Sequence, residues 1–95
     1  MYNLSDNIVR EIVDLAVRHN IEKVVLFGSR AKGTNSKISD IDLAVYGGNV
    51  AMFSLAVEEE VRTLLMFDVV DMNRKVSDEL RSEIDKYGVV IYEKV

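Results

Sequence analysis

The 95-residue sequence contains no cysteine, and none of its apolar runs is long. The absence of cysteine excludes disulfides, Cys-rich zinc sites and thiol nucleophiles, and it suits a reducing compartment. No apolar run approaches the ~20 residues that a membrane span needs, and the N-terminus lacks the basic and apolar regions of a signal peptide. We therefore expect a cytoplasmic protein with no membrane partner.

Basic side chains are also in the minority. The chain has 12 Lys and Arg against 16 Asp and Glu, which gives a formal net charge of −4. General nucleic-acid binders usually present an excess of cations, so we expect no direct nucleic-acid partner. The hydrophobic content of 48% favours a folded protein over a disordered one. At this length the chain is expected to form one domain, residues 1–95, with a single core.

The pattern of apolar residues predicts alternating helices and strands. Amphipathic spacing indicates helices at about 5–20, after Asn49, and from Ser77 to Gly88, with Ser5, Asn49 and Ser77 as N-caps. Short β-branched or alternating runs indicate strands at 23–28, 41–48, 64–72 and 89–93, the last one at a possible sheet edge. The strand at 41–48 alternates in a way that predicts one face in the core. This order predicts an α/β or α+β fold with helices packed on a small sheet.

A cationic segment with glycine connects the first two strands. Gly28 and Ser29 directly follow a strand, and residues 29–39 contain Arg30, Lys32 and Lys37 but no acidic residue. Backbone N–H groups at a glycine turn, with a Ser hydroxyl beside them, can approach phosphate oxygens closely. The segment is not a Walker loop, because it lacks the Lys followed by Ser or Thr. By itself, the segment could equally be a solvated connection that contains a helical turn.

Two aspartates follow this segment, at the start of the second strand. Asp40 and Asp42 are two residues apart, so on a strand both side chains point to the same face. Two close carboxylates repel each other when ionised, and a divalent cation relieves the repulsion. Ligand sets made only of oxygen favour Mg²⁺ or Mn²⁺ over zinc. By themselves, Asp40 and Asp42 could equally be exposed acids at a strand end.

A third acid would complete a two-metal site, and the third strand offers two. Asp68 and Asp71 are three residues apart and so point to opposite faces of a strand. Asp68 lies in mid-strand, where burial of an unpaired carboxylate would be costly without a cation. Asp71 lies nearer the strand end and can be solvated. We therefore favour Asp68.

Taken together, these motifs resemble a known family. The order of Gly28-Ser29, Asp40-x-Asp42 and a later strand aspartate is similar to the nucleotidyltransferase superfamily related to DNA polymerase β. The stretches FGSRAKG, SDIDLAV and FDVVD, in so short a chain, resemble the minimal nucleotidyltransferases of prokaryotes. The resemblance implies a mixed sheet of about four strands with helices packed on it.

The resemblance also implies a site and a reaction. Asp40, Asp42 and Asp68 would be the catalytic and metal-binding residues, holding two Mg²⁺ or Mn²⁺ ions. Gly28, Ser29 and Arg30 would bind the nucleotide, although Lys32 or Lys37 could contact the phosphates instead of Arg30. ATP would be the substrate, and its α-phosphorus would be attacked as pyrophosphate leaves.

Relatives that modify antibiotics or RNA carry further domains for the acceptor, so the resemblance implies that the acceptor here is another protein. Minimal nucleotidyltransferases of this type are paired with a HEPN toxin, act as its antitoxin and transfer AMP to a toxin tyrosine. Two alternatives stay open. The chain could neutralise a partner by binding alone, or it could be a homodimer that modifies a small molecule.

Overall fold

Helices and strands alternate along the chain in the computed structural model, which describes residues 2–95. The elements are α1 (Asp6–Arg18), β1 (Lys23–Phe27), α2 (Gly28–Lys32), β2 (Ile41–Tyr46), α3 (Val50–Glu60), β3 (Phe67–Asp71), α4 (Asp78–Tyr87) and β4 (Val89–Glu93). The predicted order is confirmed, and the connection after β1 does contain a short helix. No helix in the described range is both long and apolar enough to cross a membrane.

The three predicted N-caps are confirmed. The side chains of Ser5, Asn49 and Ser77 accept hydrogen bonds from the backbone N–H groups of Ile8, Met52 and Leu80, at 3.3, 3.2 and 3.2 Å. Each cap satisfies a donor that the first helical turn would otherwise leave unpaired, which stabilises a helix by about 1 kcal/mol. These local signals fix where α1, α3 and α4 begin.

The four strands form one mixed sheet in the order β3-β2-β1-β4. β1 pairs antiparallel with both β2 and β4, whereas β2 and β3 pair in parallel. A parallel pair needs a crossover connection, and α3 supplies it. The predicted fold class is thereby confirmed, and β4 does lie at an edge.

Both faces of the sheet are covered, so the expectation of a single buried face was wrong. Ile41, Leu43 and Val45 belong to the larger core, which includes buried residues of α1 and α3. On the opposite face, Ala44 is fully buried in a smaller cluster that includes Ile84 of α4. The alternation of apolar residues along β2 correctly identified the face that packs in the larger core. The small side chain of Ala44 gave no sign that a helix covers the other face.

Candidate active site

The end of β1 and the start of β2 lie side by side because the two strands are antiparallel. Phe27, the last residue of β1, pairs with Asp42, the second residue of β2. Gly28 follows with φ of +73°, and a Cβ at this position would overlap a carboxylate oxygen of Asp42. Glycine is therefore favoured for two reasons, the left-handed backbone and the close approach of the Asp42 carboxylate.

Asp68 lies opposite Asp42 on the neighbouring strand. The parallel register pairs these two residues directly, and paired strands lie about 4.8 Å apart. Asp40 precedes β2 by one residue. The register thus brings three predicted site residues, Gly28, Asp42 and Asp68, to one end of the sheet, with Asp40 beside them.

Asp71 lies at the other end of β3, where it pairs with Val45 of β2. Its carboxylate accepts a hydrogen bond from the Asn73 N–H at 2.9 Å and forms an ion pair with Arg74 at 3.4 Å. These contacts are those of a turn-forming aspartate. The structure therefore separates Asp71 from the candidate site and places Asp68 in it.

The burial expected for Asp68 was wrong, because its side chain is exposed. β3 is an edge strand, so its residues are covered less than those of β1 and β2. Burial thus gave the wrong reason for choosing Asp68 over Asp71. Its position opposite Asp42 is the structural reason for that choice.

Asp42 is the carboxylate whose environment differs most from water. Burial, and then the negative charges of Asp68 and Asp40, together raise its pKa from 3.8 to about 6. A carboxyl group surrounded in this way is poorly stabilised when ionised, and a nearby cation would reverse the effect. The electrostatics of the site therefore favour the binding of a cation.

The carboxylates do not form a closed metal site in the structure. Among residues 2–95, no three acidic or histidine side chains converge closely enough to hold a metal ion. Their chemistry nevertheless fits Mg²⁺ or Mn²⁺, because all three offer oxygen and the Asp42 carboxylate lacks a compensating charge. Asp40 and Asp68 are exposed, so water can accommodate their rotation towards a cation.

The side chain of Arg30, a predicted nucleotide-binding residue, is buried and bound to the protein backbone. It is only 5% exposed. Its guanidinium donates hydrogen bonds to the backbone carbonyls of Ser39, Asn3 and Lys37 at 3.0, 3.1 and 3.3 Å. A guanidinium held in this way is not presented to a phosphate, so the expected nucleotide contact of Arg30 is corrected to a contact with the chain itself.

The other two basic residues of the segment differ from each other. Lys32 lies on α2 and forms an ion pair with Glu83 of α4, with its ammonium 4.8 Å from the centre of the Tyr87 ring. The hydrogen bond to Glu83 raises the pKa of Lys32. Lys37 is exposed and takes part in none of the ion pairs of residues 2–95. Lys37 is therefore the better candidate for contact with an anionic ligand.

The sequence analysis missed a small turn that precedes Asp40. The Ser36 N–H donates to the Ser39 hydroxyl at 2.9 Å, and the Ser39 N–H donates to the Ser36 carbonyl at 3.3 Å. Serine hydroxyls can hydrogen-bond to nearby backbone groups in turns, so the two serines were a weak signal for this turn in the sequence. The partner of Lys32 was not readable, because Glu83 lies on an element distant in the chain.

A strand–glycine turn–short helix unit, with aspartates at the starts of two parallel strands, defines a nucleotidyltransferase type of fold. Residues 10–95 match the family model described as Polymerase beta, Nucleotidyltransferase. The chain belongs to this nucleotidyltransferase family. No curated protein sequence matches it significantly.

Solved structures with the same fold include members of toxin–antitoxin complexes. One, described as a toxin–antitoxin with AMP-PNP, is 23% identical with a TM-score of 0.70, and the match covers 90% of this chain and 73% of that one. Another, a double aspartate-to-glutamate mutant of the toxin–antitoxin MntA-HpeT, is 20% identical with a TM-score of 0.71 and the same coverage. A structure described as a minimal nucleotidyltransferase is 28% identical with a TM-score of 0.66, covering 85% of this chain and 86% of that one.

Proposed function

We propose that the chain is a Mg²⁺-dependent antitoxin that transfers AMP from ATP to a tyrosine of a partner HEPN toxin. The observation that carries the proposal is the position of Asp42. Asp42 is adjacent to the Gly28 turn and pairs with Asp68 in the β2–β3 register. Burial and two neighbouring carboxylates make its ionised form unfavourable. A cation accompanied by a triphosphate would relieve that strain.

Each predicted site residue would have a separate role in the transfer of AMP. Gly28 and Ser29 would bind the β- and γ-phosphates, and Asp40 and Asp42 would hold the cations with the triphosphate. A bound Mg²⁺ would neutralise charge on the phosphates. The tyrosine oxygen forms a bond to the α-phosphorus while the bond from that phosphorus to the β-phosphate oxygen breaks and pyrophosphate leaves. Asp68, at the exposed edge of the site, would accept the phenolic proton.

A protein acceptor is supported by the surface beside the site. Ile38, Leu64 and Met66 are 84%, 103% and 67% exposed. Ile38 lies two residues before Asp40, and Met66 two residues before Asp68, so these two apolar residues are close to the carboxylates in the chain. Exposed apolar groups next to a reactive centre favour a macromolecular acceptor over a small polar one. The toxin–antitoxin structures of the same fold point in the same direction.

The proposal is tested by incubating the protein with ATP, Mg²⁺ and a HEPN protein encoded by a neighbouring gene of the same genome, if the genome carries one there; without one, a HEPN protein that co-purifies with the chain takes its place. Intact-mass spectrometry should show the partner gaining the mass of at least one AMP residue. The Asp40→Asn, Asp42→Asn double variant should leave the partner unmodified, whereas the Asp71→Asn variant, altered at the far end of β3, should retain the activity. An unmodified partner with the unaltered protein would refute the transfer.

Neutralisation by binding alone is the second candidate, and the open arrangement of the carboxylates favours it. In that case, the Asp40→Asn, Asp42→Asn variant should still protect cells from the partner. If the double variant loses protection while it still binds the partner, catalysis is responsible for neutralisation.

A further inference from the structure

Arg30 joins three separate parts of the chain. Its Nε donates to the Ser39 carbonyl, Nη1 to the Asn3 carbonyl and Nη2 to the Lys37 carbonyl. The Asn3 N–H in turn donates to the Arg30 carbonyl at 2.8 Å. One side chain of α2 therefore binds both the N-terminal segment and the segment 37–39 that leads into Asp40.

The chemistry of these contacts is specific to arginine. The side chain is almost fully buried, and none of the ion pairs within residues 2–95 includes it. Its charge is compensated by backbone carbonyl dipoles, which a guanidinium can reach in several directions because its donors are fixed in a planar fork. A lysine ammonium would keep the charge but could not reproduce three divergent contacts.

Asp40 lies between two fixed points of the backbone. On one side, the carbonyl of Ser39, which belongs to the peptide bond joining Ser39 to Asp40, accepts from Arg30. On the other side, the Ile41 N–H donates to the Met66 carbonyl at 2.9 Å, where the pairing of β2 with β3 begins. The place of the Asp40 backbone thus depends on Arg30 at one end and on the sheet at the other.

We infer that Arg30 is a positioning residue, which acts through Asp40 and does not contact the nucleotide. The inference rests on the proposed function in so far as Asp40 is a metal ligand. Residues that orient metal ligands are worth about 10- to 100-fold in metal affinity, because a loose ligand must be ordered when the metal binds. Arg30 contributes to the site by holding segment 37–39 in one conformation.

The first test measures Mn²⁺ binding by electron paramagnetic resonance, with the metal alone and no acceptor. Arg30→Lys should weaken Mn²⁺ binding by about 10-fold or more. Arg10→Lys, a matched change at an exposed position of α1, should leave it unaltered. Unchanged Mn²⁺ affinity in folded Arg30→Lys would overturn the inference.

A double-mutant cycle then separates positioning from a general structural effect. If Arg30 acts through Asp40, Arg30→Lys should have less than about a twofold effect on Mn²⁺ affinity in the Asp40→Asn background, because the ligand it positions is already gone. An equal loss in both backgrounds would contradict action through Asp40. A phosphate contact predicts the opposite result, with ATP affinity lowered and Mn²⁺ affinity kept.

A metal-free measurement separates this inference from the proposed function. Backbone order parameters of residues 37–40 should fall from about 0.85 towards 0.6 in Arg30→Lys and stay high in Arg10→Lys. If the unaltered protein binds no Mn²⁺, the proposed function fails, and the order parameters still decide whether Arg30 holds the segment. If Arg30→Lys does not fold, the Ser39→Ala variant is measured instead. It removes the hydroxyl that accepts from the Ser36 N–H and so loosens the segment that leads into Asp40. It should weaken Mn²⁺ binding several-fold, and an unchanged affinity would overturn the inference.

Discussion

Replacing Asp42 by asparagine should make the protein more stable at neutral pH while abolishing the metal binding proposed for this site. Burial, followed by the charges of Asp68 and Asp40, raises the pKa of Asp42 from 3.8 to about 6 in the folded protein. The folded state therefore binds the proton more tightly than the unfolded state. The ionised carboxylate destabilises the fold, and the loss of stability develops as pH rises from about 4 to about 6 and is complete above that range.

The magnitude follows from the size of this shift. One pKa unit corresponds to 1.36 kcal/mol, so a shift of about two units sets an upper limit of about 3 kcal/mol. The site is partly open to water, which screens the charges, so we expect about 1–2 kcal/mol. Asparagine has nearly the same shape and never ionises. In a domain of this size, the corresponding rise in Tm is roughly 5–15 °C.

The assay is urea and thermal unfolding followed by circular dichroism, with EDTA present. Asp42→Asn should exceed the unaltered protein in unfolding free energy by about 1–2 kcal/mol near pH 7.5, and the difference should shrink towards zero near pH 4. Glu59→Gln, which removes the charge of an exposed carboxylate of α3, is the matched control. A gain that is equal at both pH values, or no gain at all, would refute the electrostatic reasoning.

Metal addition extends the same prediction. A cation that binds only the folded state stabilises it by RT ln(1 + [L]/Kd), or about 1.4 kcal/mol at a concentration ten times the Kd. Mg²⁺ should therefore raise the Tm of the unaltered protein near pH 7.5 and leave that of Asp42→Asn unchanged. Stabilisation of both proteins to the same extent would place the bound cation elsewhere.

Four further variants test the fold and the surface. Gly28→Ala forces a Cβ into the Asp42 carboxylate at a positive φ, so unfolding experiments should show a loss of about 1–3 kcal/mol. Phe53→Ala removes a fully buried ring and should cost about 3–5 kcal/mol, whereas its half-exposed neighbour Met52→Ala should cost less than about 1 kcal/mol in the same urea titrations. The Leu64→Ser, Met66→Ser double variant should retain its stability within about 1 kcal/mol but bind the partner protein at least about tenfold more weakly by calorimetry. Unaltered affinity for the partner would show that Leu64 and Met66 do not contribute to binding it.

Much of the fold could be predicted because its signals are local. Ser5, Asn49 and Ser77 cap helices through bonds to residues three positions away, and the alternation of apolar side chains along β2 follows from the geometry of a single strand. The glycine turn at Gly28 and the spacing of the aspartates were legible for the same reason. These features are determined by neighbours in the chain.

The long-range features depended on what each element packs against. Arg30 was predicted to contact a phosphate because it is a basic residue after a glycine turn. Nothing in that local pattern indicates that three backbone carbonyls of other segments surround its side chain. Asp68 was expected to be buried, and its exposure follows from the place of β3 at the sheet edge. A single strand does not encode its position within a sheet.

The helices and strands, the glycine turn and the candidate carboxylates could be predicted from the sequence, since capping, side-chain alternation and backbone strain act over a few residues. Which carboxylates lie side by side depends on the pairing of strands that are distant in the chain. The parallel register places Asp68 beside Asp42, while Asp71 lies at the far end of β3. The fold also buries the Arg30 side chain against the backbone that leads into Asp40. A buried guanidinium is stable only where hydrogen-bond acceptors surround it, and here they come from distant segments of the chain.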